Sequence, residues 1–151
     1  MRDLIIEKLY EFTKKPYQKF FKKGIPWNIT PSQLIQYNQD SLGFHLGCFL
    51  LKYNFEMQPK LEDHDIIHVL TNTQVAVTDE IGMQYFLLGN GKRSMYLYMV
   101  ITIGTLFYPF QMKYFIRNYK RGKMAHRIHD LDFLKMLTLP LTALRTTFNI
   151  I

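Results

Sequence analysis

Two histidines and a glutamate stand at a spacing that could hold a metal ion. The segment HDIIH occupies positions 64–68 and is followed, after eleven further residues, by Glu80. On a helix, His64 and His68 lie one turn apart and about 40° from each other around the axis, with Asp65 within about 100° of His64. Imidazole nitrogens at i and i+4 are a usual way for a helix to bind a transition metal.

Glu80 can join this group only if the chain turns back. Twelve residues of straight helix advance about 18 Å, whereas a turn at residues 71–74 (TNTQ) would let the next helix return to the histidines. Two imidazoles with one or two carboxylates favour Zn²⁺, Mn²⁺ or Fe²⁺ over Ca²⁺. The alternative is a structural polar cluster. Asp65 replaces the glutamate of the zincin signature, which disfavours a peptidase.

The elements that must position these residues are helical. Thr30, Pro31 and Ser32 form a typical helix start, and Gly89-Asn90-Gly91 a typical helix end. No alternating run is long enough to predict a sheet. We therefore expect a single compact all-α domain. The predicted helices cover 4–12, 33–53 as one helix or as two with a break near 40–43, 61–70, 78–88 capped by Thr78 or Asp79, a segment ending near Pro109, and 140–147.

The segment Ser94–Met112 carries no charged residue. Its length is close to the roughly 20 residues that span a bilayer, but it contains three tyrosines and a proline. We interpret it as a central apolar helix, buried or forming the wall of a pocket. A membrane span and insertion at a membrane surface are the alternatives.

Composition sets the class of protein. Of 151 residues, 48% are hydrophobic and 21% charged, which is globular and excludes a disordered chain. The one cysteine, Cys48, excludes an internal disulfide and favours a reducing compartment; its apolar neighbours predict a core position. Acids at positions 3, 7 and 11 argue against a signal or transit peptide, so we expect an intracellular protein.

The net charge of +7 fits either a partner that carries phosphate groups or a basic face that contacts only solvent. Nucleic acid and anionic lipid both fit the charge, but the basic clusters lie in no nucleic-acid-binding motif.

Large apolar side chains are abundant, with ten Tyr, twelve Phe and eight Met. They fit either an adaptable core or a deep apolar tunnel of lipid size. Gly104 has no side chain, so an apolar tail could approach the backbone there. The candidate lining residues of such a pocket are Phe44, Phe49, Tyr85, Phe86 and Gly104.

The spacing of the metal motif resembles a known signature. HDIIH followed by Glu80 is similar to the His-Asp-x-x-His-(eleven)-Glu pattern of the Coq-four family of ubiquinone (coenzyme Q) biosynthesis proteins. The resemblance covers residues 41–151 and leaves 1–40 as a basic, helical N-terminal segment without a match. Its flanks are Ser41-Leu42-Gly43, Val69-Leu70-Thr71, Asp79-Glu80-Ile81, Arg121-Gly122-Lys123 and the ending from Pro140 to Ile150.

The resemblance implies a site and a reaction. A divalent metal, zinc first with iron, manganese or magnesium as alternatives, would bind at His64, Asp65, His68 and Glu80. The head of a prenylated lipid or quinone precursor would lie beside it. The protein would then support oxidative decarboxylation of the ring, as a metal-dependent decarboxylase or lyase acting on a prenylated hydroxybenzoate. The alternative is a non-catalytic prenyl-lipid carrier or scaffold of a quinone-synthesis complex.

The resemblance also implies partners and a location. It predicts a homodimer, peripheral on the cytoplasmic face of an anionic membrane, that works with other quinone-biosynthesis proteins. Nucleic acid is not expected as a partner.

Overall fold

The computed structural model describes residues 27–57 and 62–150, and this part of the chain is all-α. It contains no β-strand, only an isolated bridge between Ser41 and Pro140. The predicted helix at 4–12 lies outside the described residues. The helices are α1 Pro31–Leu34, α2 Leu42–Lys52, α3 Glu62–Thr71, α4 Val77–Gly89, α5 Met95–Phe107, α6 Met112–Met124 and α7 Leu141–Thr147, with 3₁₀ turns at Pro109–Gln111 and Phe133–Met136.

Capping side chains set several of these boundaries. Thr30 accepts a hydrogen bond at the start of α1, and Ser41 does the same for α2, so the predicted break near residues 40–43 is confirmed. Helix α4 begins at Val77 without a side-chain cap, so the caps predicted at positions 78 and 79 are wrong. Both of these residues already belong to the first turn of α4.

Helix α4 lies between two hydrophobic clusters. The smaller cluster consists of Ile81, Tyr108 and Phe115, with Tyr85 and Tyr114 packed against it. The main cluster includes residues from α1, α2, α3, α4 and α7. Helix α1 contributes Leu34, which packs in the same core as the other helices. The members of the main cluster include Leu34, Leu42, Leu46, Leu50, Ile66, Ile67, Leu70, Met83, Phe86, Leu87, Leu141 and Leu144.

Helices α4 and α6 pack with their backbones almost in contact. A Cβ atom at Gly89 would lie 2.1 Å from the carbonyl oxygen of Tyr119, and one at Gly122 would lie 2.0 Å from that of Phe86. Only glycine fits at either position. This contact fixes α4, the helix that carries Glu80, against α6.

The uncharged segment 94–112 is not buried as we expected. Within α5 only Leu97 and Gly104 are buried. Met95, Leu106 and Phe110 are 79%, 74% and 94% exposed. Helix α5 packs mainly on α4, so one face is covered and the others remain open. Among the helices of residues 27–57 and 62–150, none is both long and apolar enough to cross a membrane.

A further burial prediction, that of Cys48 on α2, is wrong. Cys48 and His45 are both exposed. The buried stripe of this helix is Leu42, Leu46 and Leu50, spaced by one turn, which directs positions 45 and 48 away from the core.

Candidate metal centre

Helices α3 and α4 bring three metal-ligating side chains together. His68 Nε2 lies 3.0 Å from Glu80 Oε1, and His64 Nε2 lies 3.3 Å from Glu80 Oε2. One ligand atom from each residue falls within 4.8 Å of the other two. The turn that follows Thr71 therefore returns Glu80 to the histidine pair, as the spacing predicted.

The orientation of His68 is fixed on two sides. Its Nδ1 lies 3.1 Å from the carbonyl oxygen of Thr73, which can only accept, so Nδ1 carries the proton and donates. Nε2 therefore faces Glu80 and is the ring nitrogen that a metal would bind. The imidazole also stacks on the Phe49 ring at a centroid distance of 5.4 Å, and its side chain is only 2% exposed.

A short hydrogen-bonded turn holds the Thr73 carbonyl in place. Thr71 Oγ1 donates to the carbonyl oxygen of Ile67 at 2.7 Å and lies 2.7 Å from Thr73 Oγ1. Asn72 adopts a φ of 53°, a left-handed conformation that asparagine tolerates better than most residues. The turn thus positions both the His68 ring and the start of the path to Glu80.

Two arginines bind the carbonyl end of α3. Arg145 donates from Nε to Leu70 O at 3.0 Å and from Nη2 to Val69 O at 2.7 Å. Arg121 donates from Nη2 to Thr71 O at 3.2 Å. Cationic side chains at a helix C-terminus satisfy its unpaired carbonyls and interact favourably with its dipole. The sequence alone did not reveal this role, since both partners lie at least 50 residues away along the chain.

The first turn of α4 is held from α6. Tyr114 donates a hydrogen bond from its hydroxyl to Asp79 Oδ1 at 2.7 Å. Burial, together with this bond to the Asp79 carboxylate, raises the pKa of Tyr114. Asp79 thus holds the start of α4, and the neighbouring Glu80 carries the carboxylate that meets the histidines.

The charges of the cluster depend on one another. Burial alone would lower the pKa of His68, but its hydrogen bond to Glu80 and the Glu80 charge outweigh burial and raise the pKa. Burial alone would raise the pKa of Glu80, but the charges and hydrogen bonds of His64 and His68 hold it well below its usual range. In the metal-free cluster, His68 and Glu80 therefore stabilise each other's charged forms.

The donor set fits a divalent transition metal. Two imidazole nitrogens and one carboxylate oxygen converge, which is the ligand count of sites that keep coordination positions open. Asp65 lies outside this three-residue group, although its charge contributes to the raised pKa of His68. Of the four predicted ligands, the structure brings together His64, His68 and Glu80.

Two of the predicted pocket residues lie on α2. Phe49 stacks on His68 and is therefore part of the wall of the metal cluster. Phe44 is partly buried and makes an edge contact with His45, at a ring centroid distance of 5.9 Å.

The other predicted pocket residues pack against protein side chains. Tyr85 stacks on Phe115 and lies within hydrogen-bonding distance of Thr105. Phe86 is 1% exposed in the main core. A Cβ atom at Gly104 would lie 2.6 Å from the Ile81 side chain, so that side chain occupies the space beside the glycine.

Comparisons with known proteins bear mainly on the fold. No protein-family model matches the chain, and no curated protein sequence matches it. The chain resembles the crystal structure of a protein from Nostoc punctiforme that carries the provisional name ubiquinone biosynthesis protein. The TM-score is 0.71, with 18% sequence identity over 99% of this chain and 81% of that chain. The two proteins share a fold.

Proposed function

We propose that this chain acts in ubiquinone or prenyl-quinone biosynthesis and binds a divalent metal at His64, His68 and Glu80. The observation that carries the proposal is the convergence of these three side chains, with His68 held in the tautomer that a metal requires. The shared fold with a protein provisionally named for ubiquinone biosynthesis and the resemblance to the Coq-four signature support the pathway. Zinc is the first candidate, with iron, manganese or magnesium as alternatives.

The cluster is accessible from one side. His68 is covered, whereas the side chains of His64 and Glu80 are 18% and 24% exposed. The polar head of a prenylated precursor would approach from that side, with the Phe49 ring as an aromatic wall. A bound metal would polarise a ring carboxylate or phenolate oxygen of a prenylated hydroxybenzoate. Asp65 contributes negative charge to this environment.

The exposed apolar side chains of α5 and the following 3₁₀ turn suit a membrane surface. Leu106 and Phe110 expose large apolar groups, and Lys113 and Arg117 follow directly on α6. Apolar residues beside cations match an anionic bilayer, where the apolar groups enter the interface and the cations meet the phosphates. We therefore expect the protein to attach to the membrane that holds the prenylated precursor.

The metal is tested first. Elemental analysis and zinc titration of the purified protein should give about one ion per chain, and Glu80→Gln should weaken zinc binding at least about tenfold because an anionic ligand is lost. Asp130→Asn, which removes a carboxylate from an exposed ion pair with Arg127, is the matched control. Wild-type protein that binds no divalent metal would contradict the proposal.

The reaction is tested with the metal-loaded protein. A prenylated 4-hydroxybenzoate should bind, and decarboxylated product should form with wild type but not with Glu80→Gln. Binding without turnover would instead favour the non-catalytic carrier or scaffold. Lipid extraction and mass spectrometry of the purified protein would identify any prenyl lipid it retains.

Membrane attachment is tested by sedimentation with phosphatidylglycerol vesicles. Phe110→Ser should reduce the bound fraction, and high salt should release the protein because the attraction of Lys113 and Arg117 is screened. Leu134→Ser, which changes an exposed leucine elsewhere in the chain, is the control. If Phe110→Ser instead dissociates a dimer and wild type does not bind the vesicles, this face is an interface between two copies of the chain. The mass of the native protein in solution tests the predicted homodimer and the predicted protein partners.

A further inference from the structure

Gln84 is a buried polar residue that the three-ligand cluster does not explain. Its side chain is only 3% exposed, yet its amide oxygen accepts no hydrogen bond from the residues that the structure describes. A buried amide without a partner costs roughly 1–3 kcal/mol, and most such groups in proteins are satisfied. A residue that carries this cost in a ligand-free chain indicates a partner that arrives with a ligand.

Gln84 shares a face of α4 with Glu80. It follows Glu80 by four residues, which places the two side chains about 40° apart on the same face of the helix. Met83 and Leu87 flank this face and pack in the main core together with α3 residues.

The opposite face of α4 belongs to α6. Gly82 approaches the Tyr114 side chain, Gly89 approaches the Tyr119 backbone, and Tyr85 stacks on Phe115. These three positions lie roughly 100–160° around the helix from Gln84. The amide therefore points away from α6, on the face of α4 that also carries Glu80.

We infer that Gln84 is a positioning residue of the site, whose amide oxygen accepts a hydrogen bond from a hydroxyl donor bound beside the metal. The inference rests on the proposed function. The donor is a ring hydroxyl of an aromatic acid or a water on the metal, which share this chemistry. Gln84 lies about 6 Å along the helix from Glu80, comparable to the separation of two para substituents on a benzene ring. An aromatic acid with its carboxylate at the metal could therefore place its hydroxyl near the amide.

The test compares Gln84→Met with wild type in three measurements. These are the melting temperature without metal, the zinc affinity, and the binding of 4-hydroxybenzoate and benzoate to the zinc-loaded protein. Methionine has a similar volume and no amide, so the metal-free protein should melt at the same or a higher temperature. Wild type should prefer 4-hydroxybenzoate over benzoate by up to about tenfold, and Gln84→Met should lose that preference. Met83→Leu, buried beside Gln84 on α4, is the matched control.

Each outcome decides the inference. Loss of the preference with zinc affinity unchanged identifies the ring hydroxyl as the donor, and weaker zinc binding with the preference retained identifies a water on the metal. If neither changes while wild type binds zinc, the inference is wrong and the proposed function stands. A clear loss of melting temperature in Gln84→Met, without one in Met83→Leu, would show a structural role and overturn the inference. If wild type binds neither zinc nor the aromatic acids, both proposals fail.

Discussion

The sequence predicted a functional role for both the α3–α4 pair and helix α5, but the two regions differ in which side chains they bury. In the α3–α4 pair, the polar side chains of the metal cluster lie inside the protein and contact one another or the backbone, as His68 contacts the Thr73 carbonyl. In α5, apolar side chains such as Leu106 face outward and one leucine reaches full burial. Burying polar groups and exposing large apolar groups both cost free energy in an isolated monomer. The α3–α4 pair therefore suits a metal ligand, and α5 suits an apolar surface.

The clearest test of this contrast lies within α5 itself. Leu97→Ala should lower the free energy of unfolding by about 2–5 kcal/mol, because it opens a cavity at a fully buried position. Leu106→Ala, on the outer face, should change it by less than about 0.5 kcal/mol. Urea denaturation of both variants provides the measurement. Equal losses would mean that the outer face is covered by another part of the chain or by a second copy.

The next effect concerns the ligand set of the α3–α4 pair. His68→Ala should reduce zinc affinity by at least about 100-fold, the upper end of what losing a mere supporting contact costs. His45→Ala removes an exposed imidazole from α2 and serves as the control. Competition with a chromogenic chelator measures both. Unchanged zinc affinity in His68→Ala would leave the cluster as a structural polar group, the alternative that the spacing alone had left open.

Local rules predicted the parts of the molecule that depend on neighbouring residues. The cap at Thr30, the helix end at Gly89 and the meeting of His68 with Glu80 all follow from spacing and turn chemistry.

The errors arise where burial depends on distant partners. An apolar helix such as α5 is central only if several other helices pack on it. Its composition is the same in a central and in a peripheral position, so composition does not predict its burial. Cys48 was misplaced for a related reason: apolar neighbours in sequence lie at different angles around a helix. The binding of Arg145 to α3, across 75 residues of sequence, leaves no local signal.

These distant contacts supply the third test. Arg145→Met should lower stability by about 1–3 kcal/mol, because two carbonyls at the end of α3 lose charge-assisted donors. Arg127→Met removes an exposed ion pair with Asp130 and should change stability by less than about 1 kcal/mol. Thermal unfolding compares the two variants. A loss in Arg127→Met as large as that in Arg145→Met would mean that the general loss of positive charge matters more than the bonds to α3.

The smallest expected effect is a pH dependence confined to the α3–α4 pair. The raised pKa of His68 adds stability to the metal-free fold below the ordinary histidine value of 6.5, and this stability is lost as pH rises through the folded-state pKa. The lowered pKa of Glu80 adds stability above its ordinary value of 4.5, lost only as pH falls far below that value. Both contributions are therefore complete between pH 4.5 and 6.5.

This window sets the expected result. The difference in unfolding free energy between wild type and Glu80→Gln, measured without metal, should be largest there and should fall at alkaline pH. Zinc should change this pH dependence, because the ion binds the neutral imidazole and competes with the proton. The metal-bound wild type should therefore gain stability as pH rises. Leu106→Ala carries no titrating group and should differ from wild type by the same amount at every pH. A flat difference for Glu80→Gln as well would mean that the carboxylate and the imidazoles are not paired in the metal-free fold.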